Sequence, residues 1–193
     1  MKSILKFIIF MPLLLLIAAD NGPEQVHLSI GRDSSTMVVT WVTMQPAMTP
    51  IVKYGTSTLT HGTLVGSGNG MSKKIYQFKS FPKGNNFPLK VCAFGDLGYL
   101  NGTSIPYLIQ AAQRGDFDMI IHIGDIAYDL HTNNGERGDL YMNELEPLFS
   151  LVPYMVIAGN HEDDGKNFSH FQNRFKMPGF DNQFYRWGVF FLN

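Results

Sequence analysis

Three short apolar runs of the chain each lead into a glycine that is followed by an oxygen-bearing side chain. The runs and the residues after them are 89–94 with Gly95-Asp96, 119–123 with Gly124-Asp125, and 154–158 with Gly159-Asn160. Continuous apolar runs of this length are typical of strands buried on both faces of a parallel sheet. The residues just beyond the carboxyl ends of such strands lie at one edge, where open α/β sheets place their chemistry.

Two more reactive side chains stand close to these strand ends. Tyr128 lies three residues after Asp125, and His161 directly follows Asn160. If the three strands are parallel neighbours, one edge gathers oxygen donors and an imidazole, namely Asp96, Asp125, Tyr128, Asn160 and His161. This set suits metal ions better than a nucleophilic triad. Each residue alone fits a turn or a satisfied structural histidine, so the prediction of a metal site depends on their joint occurrence.

Helices are predicted between and after these strands. Apolar residues spaced i, i+3, i+4 and i+7 predict a helix that begins near Ser104 and ends at Gly115. A second helix is predicted over Asp139–Ser150, with a kink or an early end at Pro147. The remaining predicted elements are a short helix over 169–175 and a hairpin over 184–192. The order strand, helix, strand, helix, strand predicts an incomplete α/β (βαβαβ) domain, whose right-handed crossovers make the strands parallel.

The region before residue 82 carries strand signals. Alternating or β-branched runs occur at 25–30, 36–42 and 51–55. They predict a small all-β domain of the sandwich type over 23–81, although such a sandwich takes about 100 residues and this segment is much shorter. Proline, glycine and asparagine mark residues 82–88 as a linker. The α/β domain is therefore expected over 89–193.

The amino terminus has the features of a secretory signal peptide. Lys2 and Lys6 precede an apolar run that ends at Ile17 and is followed by small residues, which places the predicted signal peptide at 1–19. The run is short for a transmembrane helix. We therefore expect a protein that is secreted or delivered to the lysosomal or endomembrane lumen, with no membrane span after cleavage. Sequons at Asn101 and Asn167 predict N-glycosylation.

Composition excludes some classes of function. The chain has 193 residues, a net charge of -1 and no basic run, so the electrostatic footprint of a nucleic-acid-binding protein is absent. Cys92 is the only cysteine, which excludes a disulfide within the chain. Because it lies inside an apolar run, Cys92 is predicted to be a small buried core residue. A hydrophobic content of 45% is typical of a globular fold.

The strand-end motifs resemble those of a known enzyme family. The segments 95–98 (Gly-Asp-Leu-Gly), 124–128 (Gly-Asp-Ile-Ala-Tyr) and 159–162 (Gly-Asn-His-Glu) are similar to the first three motif blocks of the calcineurin-like metallophosphoesterases. Within that superfamily, Tyr128 resembles the metal-binding tyrosine of the purple acid phosphatases. The strands over 23–81 are similar to the fibronectin III-like amino-terminal domain of the same family.

The resemblance implies a dinuclear metal centre and a role for each site residue. Asp96 and Tyr128 would bind a ferric ion, Asp125 would bridge both metals, and Asn160 would bind a second, divalent ion (Zn, Fe or Mn). His161 would contact the phosphate or assist the leaving group without binding metal. The implied activity is acid phosphatase-type hydrolysis of phosphate monoesters through a metal-bound hydroxide.

The sequence also departs from the pattern of that family. Two later motif blocks, Val-x-x-His and Gly-His-x-His, supply three histidine ligands in the family and have no counterpart here. A hairpin that usually precedes the linker is missing near Lys73-Lys74. These departures predict a member truncated at its carboxyl terminus with an internal deletion, and weak or absent activity for the chain as written.

Two alternatives to an active phosphatase remain open. The chain could be a secreted non-catalytic remnant or isoform that retains the metallophosphoesterase scaffold, which the missing histidines favour. It could also be a metallophosphoesterase of another kind, such as a nucleotidase or a diesterase. Tyr128 argues against the second alternative.

Overall fold

A computed structural model of the chain describes residues 22–32, 36–43, 51–55, 62–67, 70–71, 74–81 and 86–178. The predicted signal peptide at 1–19, the first part of the predicted linker and the predicted hairpin over 184–192 lie outside these residues. Within the described residues, none of the helices combines the length and the hydrophobicity that crossing a membrane requires.

The described elements alternate between strands and helices in the second half of the chain. The strands are β1 (Glu24–Ile30), β2 (Met37–Val42), β3 (Ile51–Gly55), β4 (Gly62–Ser67), β5 (Gly70–Met71), β6 (Tyr76–Gln77), β7 (Val91–Phe94), β8 (Met119–Ile123) and β9 (Tyr154–Ile157). The helices are α1 (Ile105–Arg114), α2 (Glu136–Phe149) and α3 (Ser169–Arg174), with 3-10 turns at Thr132–Gly135 and Asn160–Glu162. The order β7-α1-β8-α2-β9 confirms the predicted βαβαβ unit.

Strands β7, β8 and β9 form a parallel sheet with β8 in the centre. Right-handed crossovers between strands in this order place both connecting helices on the same face. Helices α1 and α2 contact each other, as that arrangement requires. The carboxyl ends of all three strands lie at one edge of the sheet, and the predicted site residues follow them there.

The main core lies between this sheet and the helices. Tyr154 of β9 stacks on Phe149 of α2 with ring centroids 3.7 Å apart, and its hydroxyl lies 3.2 Å from that of Tyr141. His122 of β8 is fully buried in the same layer. Its Nδ1 lies 2.6 Å from the Tyr154 hydroxyl. Burial lowers the pKa of His122 to about 4, and the nearby negative charge of Asp96 offsets only part of that effect.

The first strand is buried more completely than its sequence predicts. The alternation over 25–30 predicts one buried and one exposed face, but every residue from Gln25 to Ile30 is buried. The reason is that β1 pairs with β2 and also packs against α2 and β9. The carboxylate of Glu146 on α2 accepts hydrogen bonds from the Val26 amide at 3.2 Å and from the Tyr76 hydroxyl at 3.1 Å.

The other described amino-terminal strands form a second antiparallel sheet. Strands β3, β4 and β5 pair in that order, and β6 also pairs with β4. The small all-β region predicted before residue 82 is therefore antiparallel, as a fibronectin-like domain requires. The predicted domain limits themselves remain a prediction.

Helix boundaries differ from the sequence prediction in detail. Helix α1 ends at Gly115, whose φ of +77° favours glycine, as predicted. Ser104 occupies the N-cap position but makes no side-chain capping hydrogen bond. Helix α2 begins at Glu136 rather than Asp139 and continues through Pro147 to Phe149.

Cys92 is partly rather than fully buried, and this burial raises the pKa of its thiol, as in an unreactive cysteine.

The core packing of α2 leads to a stability prediction. Leu145 is completely buried, whereas Leu140 on the same helix is 47% exposed. We expect Leu145→Ala to lower the free energy of unfolding by about 2–5 kcal/mol, because it removes buried methyl groups and leaves a cavity. Leu140→Ala is the matched control and should change it by no more than about 0.5 kcal/mol. Urea denaturation followed by circular dichroism measures both, and equal losses would contradict this packing.

The buried histidine leads to a prediction about pH. The pKa of His122 is about 4 in the folded chain and 6.5 in the reference state, so the unfolded chain binds the proton first as the pH falls. The stability that neutral His122 contributes is present above pH 6.5 and is lost as the pH falls towards 4. Between pH 7 and pH 5 we expect the wild type to lose about 2 kcal/mol more than His122→Gln. Urea unfolding at both pH values measures this difference, and equal losses would be the contrary result.

Candidate metal centre

Three of the predicted site residues lie just beyond the ends of the parallel strands. Asp96 follows β7, Asp125 follows β8, and Asn160 opens the 3-10 turn after β9. Backbone hydrogen bonds continue between the strand ends, since the Asp96 amide donates to the Gly124 carbonyl at 3.2 Å. The Gly124 amide donates to the Ile157 carbonyl at 3.1 Å. These bonds hold the three loops side by side at the edge that the sequence predicted.

Asp96 and Tyr128 form the first close pair of the site. The Tyr128 hydroxyl donates to Asp96 Oδ1 at 2.6 Å, although 32 residues separate them in the chain. This hydrogen bond, together with the neighbouring carboxylates, raises the pKa of Tyr128 to about 12. In the absence of a cation the phenol therefore keeps its proton. The pairing brings two oxygens to one point, as a shared cation would require.

Asp125 and His161 form the second pair. The His161 amide donates to Asp125 Oδ1 at 3.1 Å, which joins the loops after β8 and β9. Gly159 makes this approach possible, because a Cβ at that position would clash with Asp125 Oδ1 and lie 2.6 Å from the Asp125 amide nitrogen. The glycine before Asn160 is thus required by space rather than by its backbone angles.

Sequence reasoning missed Asp129, which orients the imidazole of His161. Asp129 Oδ1 lies 2.7 Å from His161 Nδ1, so this nitrogen carries the proton and donates to the carboxylate. The hydrogen bond to Asp129 raises the pKa of His161 above its ordinary value. The His161 ring also lies against Tyr128, with ring centroids 4.5 Å apart. The only hint of this role in the sequence is that Asp129 directly follows Tyr128, one of the predicted site residues.

Sequence reasoning also gave no role to Glu162, the last residue of the third motif. Its side chain is almost fully buried, and Oε2 accepts hydrogen bonds from the amides of Asp125 at 2.9 Å and Gly159 at 2.8 Å. Oε1 accepts from the Ile126 amide at 2.8 Å. Burial raises the pKa of Glu162, and the three amide donors offset part of that rise. Glu162 therefore binds the loops after β8 and β9 to each other from inside the fold.

The backbone of the site is held in an uncommon conformation. Asp96, Asp125 and Tyr128 have φ angles of +53°, +51° and +43°, in the left-handed region that non-glycine residues rarely occupy. Such conformations cost free energy and persist where surrounding contacts impose them, often at functional sites. One of these contacts is Arg137 on α2, whose guanidinium donates to the Tyr128 carbonyl.

The side-chain atoms at this edge that could bind a metal are mostly oxygens. Carboxylate, phenolate and amide oxygens suit hard cations, and Asn160 is exposed at the same edge. Among the described residues, however, no three His, Cys, Asp or Glu side chains group together in a way that could hold a metal. A bound metal would therefore also depend on Tyr128 and Asn160, or on further donors.

The two predicted glycosylation sites lie outside this cluster. Asn101 and Asn167 are both exposed, as an acceptor asparagine must be. The modification itself remains a prediction.

The contacts of Glu162 lead to a prediction for the site loops. Glu162→Ala removes the acceptor of three amides, so we expect the free energy of unfolding to fall by roughly 1–3 kcal/mol. Glu144→Ala is the matched control, because Glu144 is exposed on α2, and it should be close to neutral. Urea denaturation measures the stability of both variants, and amide hydrogen exchange at Asp125 and Ile126 should accelerate only in Glu162→Ala. Unchanged exchange there would show that Glu162 does not hold the loops.

Comparisons with known proteins agree with this architecture. The sequence model of calcineurin-like phosphoesterases matches residues 89–191, and that of the purple acid phosphatase amino-terminal domain matches residues 23–87. The chain is 32% identical to human (Homo sapiens) acid phosphatase type 7, over 89% of this chain and 48% of that protein. It is 36% identical to probable inactive purple acid phosphatase 1 of Arabidopsis thaliana, over 54% of this chain and 18% of that protein.

A solved structure shares the fold. The purple acid phosphatase isolated from yellow lupin (Lupinus luteus) seeds superposes with a TM-score of 0.68 and 21% identity, covering 84% of this chain and 42% of that one. The chain spans about half the length of acid phosphatase type 7. The family matches cover both the amino-terminal strands and the sheet that carries the site. The chain therefore belongs to the calcineurin-like phosphoesterase family, with an amino-terminal region of the purple acid phosphatase type.

Proposed function

We propose that this chain carries part of a dinuclear metal site for acid phosphatase-type hydrolysis of phosphate monoesters. The observation that supports this most is the pairing of Asp96 with Tyr128 and of Asp125 with His161 at one edge of a parallel sheet. A tyrosine beside two carboxylates and an amide is the donor set that the resemblance to purple acid phosphatases implies.

The metal roles proposed for the side chains follow from that pairing. Asp96 and Tyr128 would hold a ferric ion, since their oxygens lie 2.6 Å apart and would face one cation once the phenol loses its proton. Asp125 would serve both metals, and Asn160 would hold a divalent ion (Zn, Fe or Mn). When bound, a metal pair neutralises the charge of the phosphate and polarises its oxygens.

His161 is proposed to act on the substrate and not as a metal ligand. Asp129 holds Nδ1 and fixes the orientation of the ring. This leaves Nε2 for a phosphate oxygen or for the oxygen of the leaving group. Asp129 is a positioning residue in this scheme, because it acts through His161.

The activity of these 193 residues alone is proposed to be weak or absent. The described residues contribute oxygen donors to the proposed metals but no histidine ligand, and the family's later histidine blocks have no counterpart in the sequence. The site of action is proposed to be outside the cell or in the lysosomal or endomembrane lumen, as the predicted signal peptide implies.

A second candidate function is that of a secreted non-catalytic protein that retains the scaffold. Two observations favour it. The described residues hold no metal-binding group of three His, Cys, Asp or Glu side chains. One matched relative is named a probable inactive purple acid phosphatase.

Metal analysis tests the proposal. We expect the secreted chain to carry less than a full iron and zinc pair by elemental analysis and to hydrolyse p-nitrophenyl phosphate weakly or not at all. A chimera that appends the portion of human acid phosphatase type 7 that this chain does not match should bind both metals. In that chimera, Asp125→Ala should lower kcat by at least about 100-fold, since even outer-shell changes at metal sites cost about 10–100-fold.

Asp116→Ala is the control for the chimera, because Asp116 is exposed and, among the described residues, its side chain pairs only with the neighbouring Arg114. It should leave both metal content and turnover unchanged. Full metal content in Asp125→Ala would contradict the ligand assignment. A full metal pair and rapid turnover in the unextended chain would contradict the proposed need for further ligands.

A further inference from the structure

An arginine at the end of the short helix α3 attaches this helix to the start of α2. The side chain of Arg174 is largely buried. Its Nη2 donates to the carbonyl of Gly135, which precedes α2, at 2.9 Å and to Asp139 Oδ1 in the first turn of α2 at 2.8 Å. Gly138 leaves room for the guanidinium, since a Cβ there would lie 2.8 Å from its central carbon. These contacts fix the position of Arg174.

The other terminal nitrogen of Arg174 contacts a histidine one turn earlier on α3. Nη1 lies 3.1 Å from His170 Nδ1 and donates to the His170 carbonyl at 3.2 Å. A guanidinium has donors and no acceptor, so His170 Nδ1 must be the acceptor. His170 is therefore neutral in this arrangement, with its proton on Nε2. The hydrogen bond from Arg174 to the ring lasts only as long as Nδ1 binds no proton.

The groups that face His170 decide when the ring takes up a proton. They come from α3, from the loop before it and from the loop before the 3-10 turn, and they are Arg174, Asp164, Lys166 and His131, whose ring centroid lies 6.3 Å away. Burial lowers the pKa of His170, the charge of Arg174 lowers it further, and Asp164 opposes both effects. The net pKa lies below the ordinary value of 6.5. The neutral ring is therefore the main form at neutral pH, and the imidazolium forms only at acid pH.

The protonated ring would be drawn away from the arginine. Asp164 Oδ2 accepts hydrogen bonds from the His170 amide at 3.0 Å and from the Ser169 hydroxyl, which fix this carboxylate at the start of α3. The carboxylate attracts an imidazolium, whereas the guanidinium of Arg174 repels it. Protonation therefore removes an acceptor from Arg174 and also places two cations side by side.

We infer that His170 acts as a pH-sensitive latch between α3 and the start of α2. In the neutral state it accepts from Arg174 and helps to hold the guanidinium against the Gly135 carbonyl. At acid pH the imidazolium repels the guanidinium, so α3 and the start of α2 separate more readily. The latch adjoins the candidate metal centre, because Arg137, two residues after Gly135, donates to the Tyr128 carbonyl. Only an effect on that centre rests on the proposed function; the latch itself does not.

Two measurements on the intact chain test the inference, and neither requires metal or substrate. The first is nitrogen-15 NMR of the histidine rings at pH 7.5. It should show His170 with its proton on Nε2. A proton on Nδ1 at that pH would overturn the inference, because Arg174 could not then donate to the ring. Failure of the phosphatase proposal would leave either result unchanged.

The second measurement is amide hydrogen exchange at pH 7.5 and pH 5, corrected for the intrinsic effect of pH on exchange. On acidification, amides in 132–139 and 169–176 should accelerate at least about threefold more in the wild type than in His170→Gln, because only the wild type loses a hydrogen bond. Glutamine keeps an acceptor for Arg174 and binds no proton. His131→Gln is the matched control and should respond as the wild type does. Amides of β9 report on the core and should respond equally in all three chains.

Three exchange results would overturn the inference. They are equal responses of the wild type and His170→Gln, a response that is lost in His131→Gln, and a response confined to 169–176, which would leave the start of α2 without a part in the latch. Circular dichroism should show that both variants fold as the wild type does, because His131 and His170 are both partly exposed.

Discussion

The carboxylate of Glu162 accepts hydrogen bonds from the amides of Asp125, Ile126 and Gly159, and the geometry of the site depends on this contact. Two loops from neighbouring strands share one buried acceptor. Burying an ionised carboxylate costs free energy. The three amide donors offset part of this cost, and they can do so only when the loops after β8 and β9 lie together as they do here. The amide of Asp125, a residue with left-handed backbone angles, donates to the same carboxylate. The buried Glu162 therefore helps to maintain this strained backbone conformation at the site.

The parallel sheet imposes the second constraint. Because β7, β8 and β9 follow one another in space as in sequence, their carboxyl ends share one edge and their helices share one face. Because the carboxyl ends share one edge, oxygen ligands from three separate loops lie close together. The shared face of the helices leaves the opposite face without a helix from these two crossovers among the residues that the structure describes. The convergence of the site residues and the placement of both helices on one face are therefore two results of the same topology.

The sequence predicted the βαβαβ order, the strand ends and the end of α1 at Gly115, because these depend on local periodicity and on glycine. It did not predict the roles of Glu162 and Asp129. Two of the three amides that bond to Glu162 are 36 and 37 residues away in the chain, and the histidine that bonds to Asp129 is 32 residues away. The burial of every residue from Gln25 to Ile30 in β1 was also missed, since alternation within a strand carries no information about a helix that packs on its second face. The Asp96–Tyr128 contact was foreseen only as a convergence of strand ends.

Helix α2 links these features mechanically. At its first turn, Arg137 donates to the carbonyl of Tyr128 in the site loop. Along its middle, Tyr141 and Leu145 pack into the core. Nearer its end, Glu146 accepts a hydrogen bond from β1. One helix thus contacts the site loop, the sheet and the amino-terminal strands, so the amino-terminal region is part of the structure that positions Tyr128 and not an independent appendage.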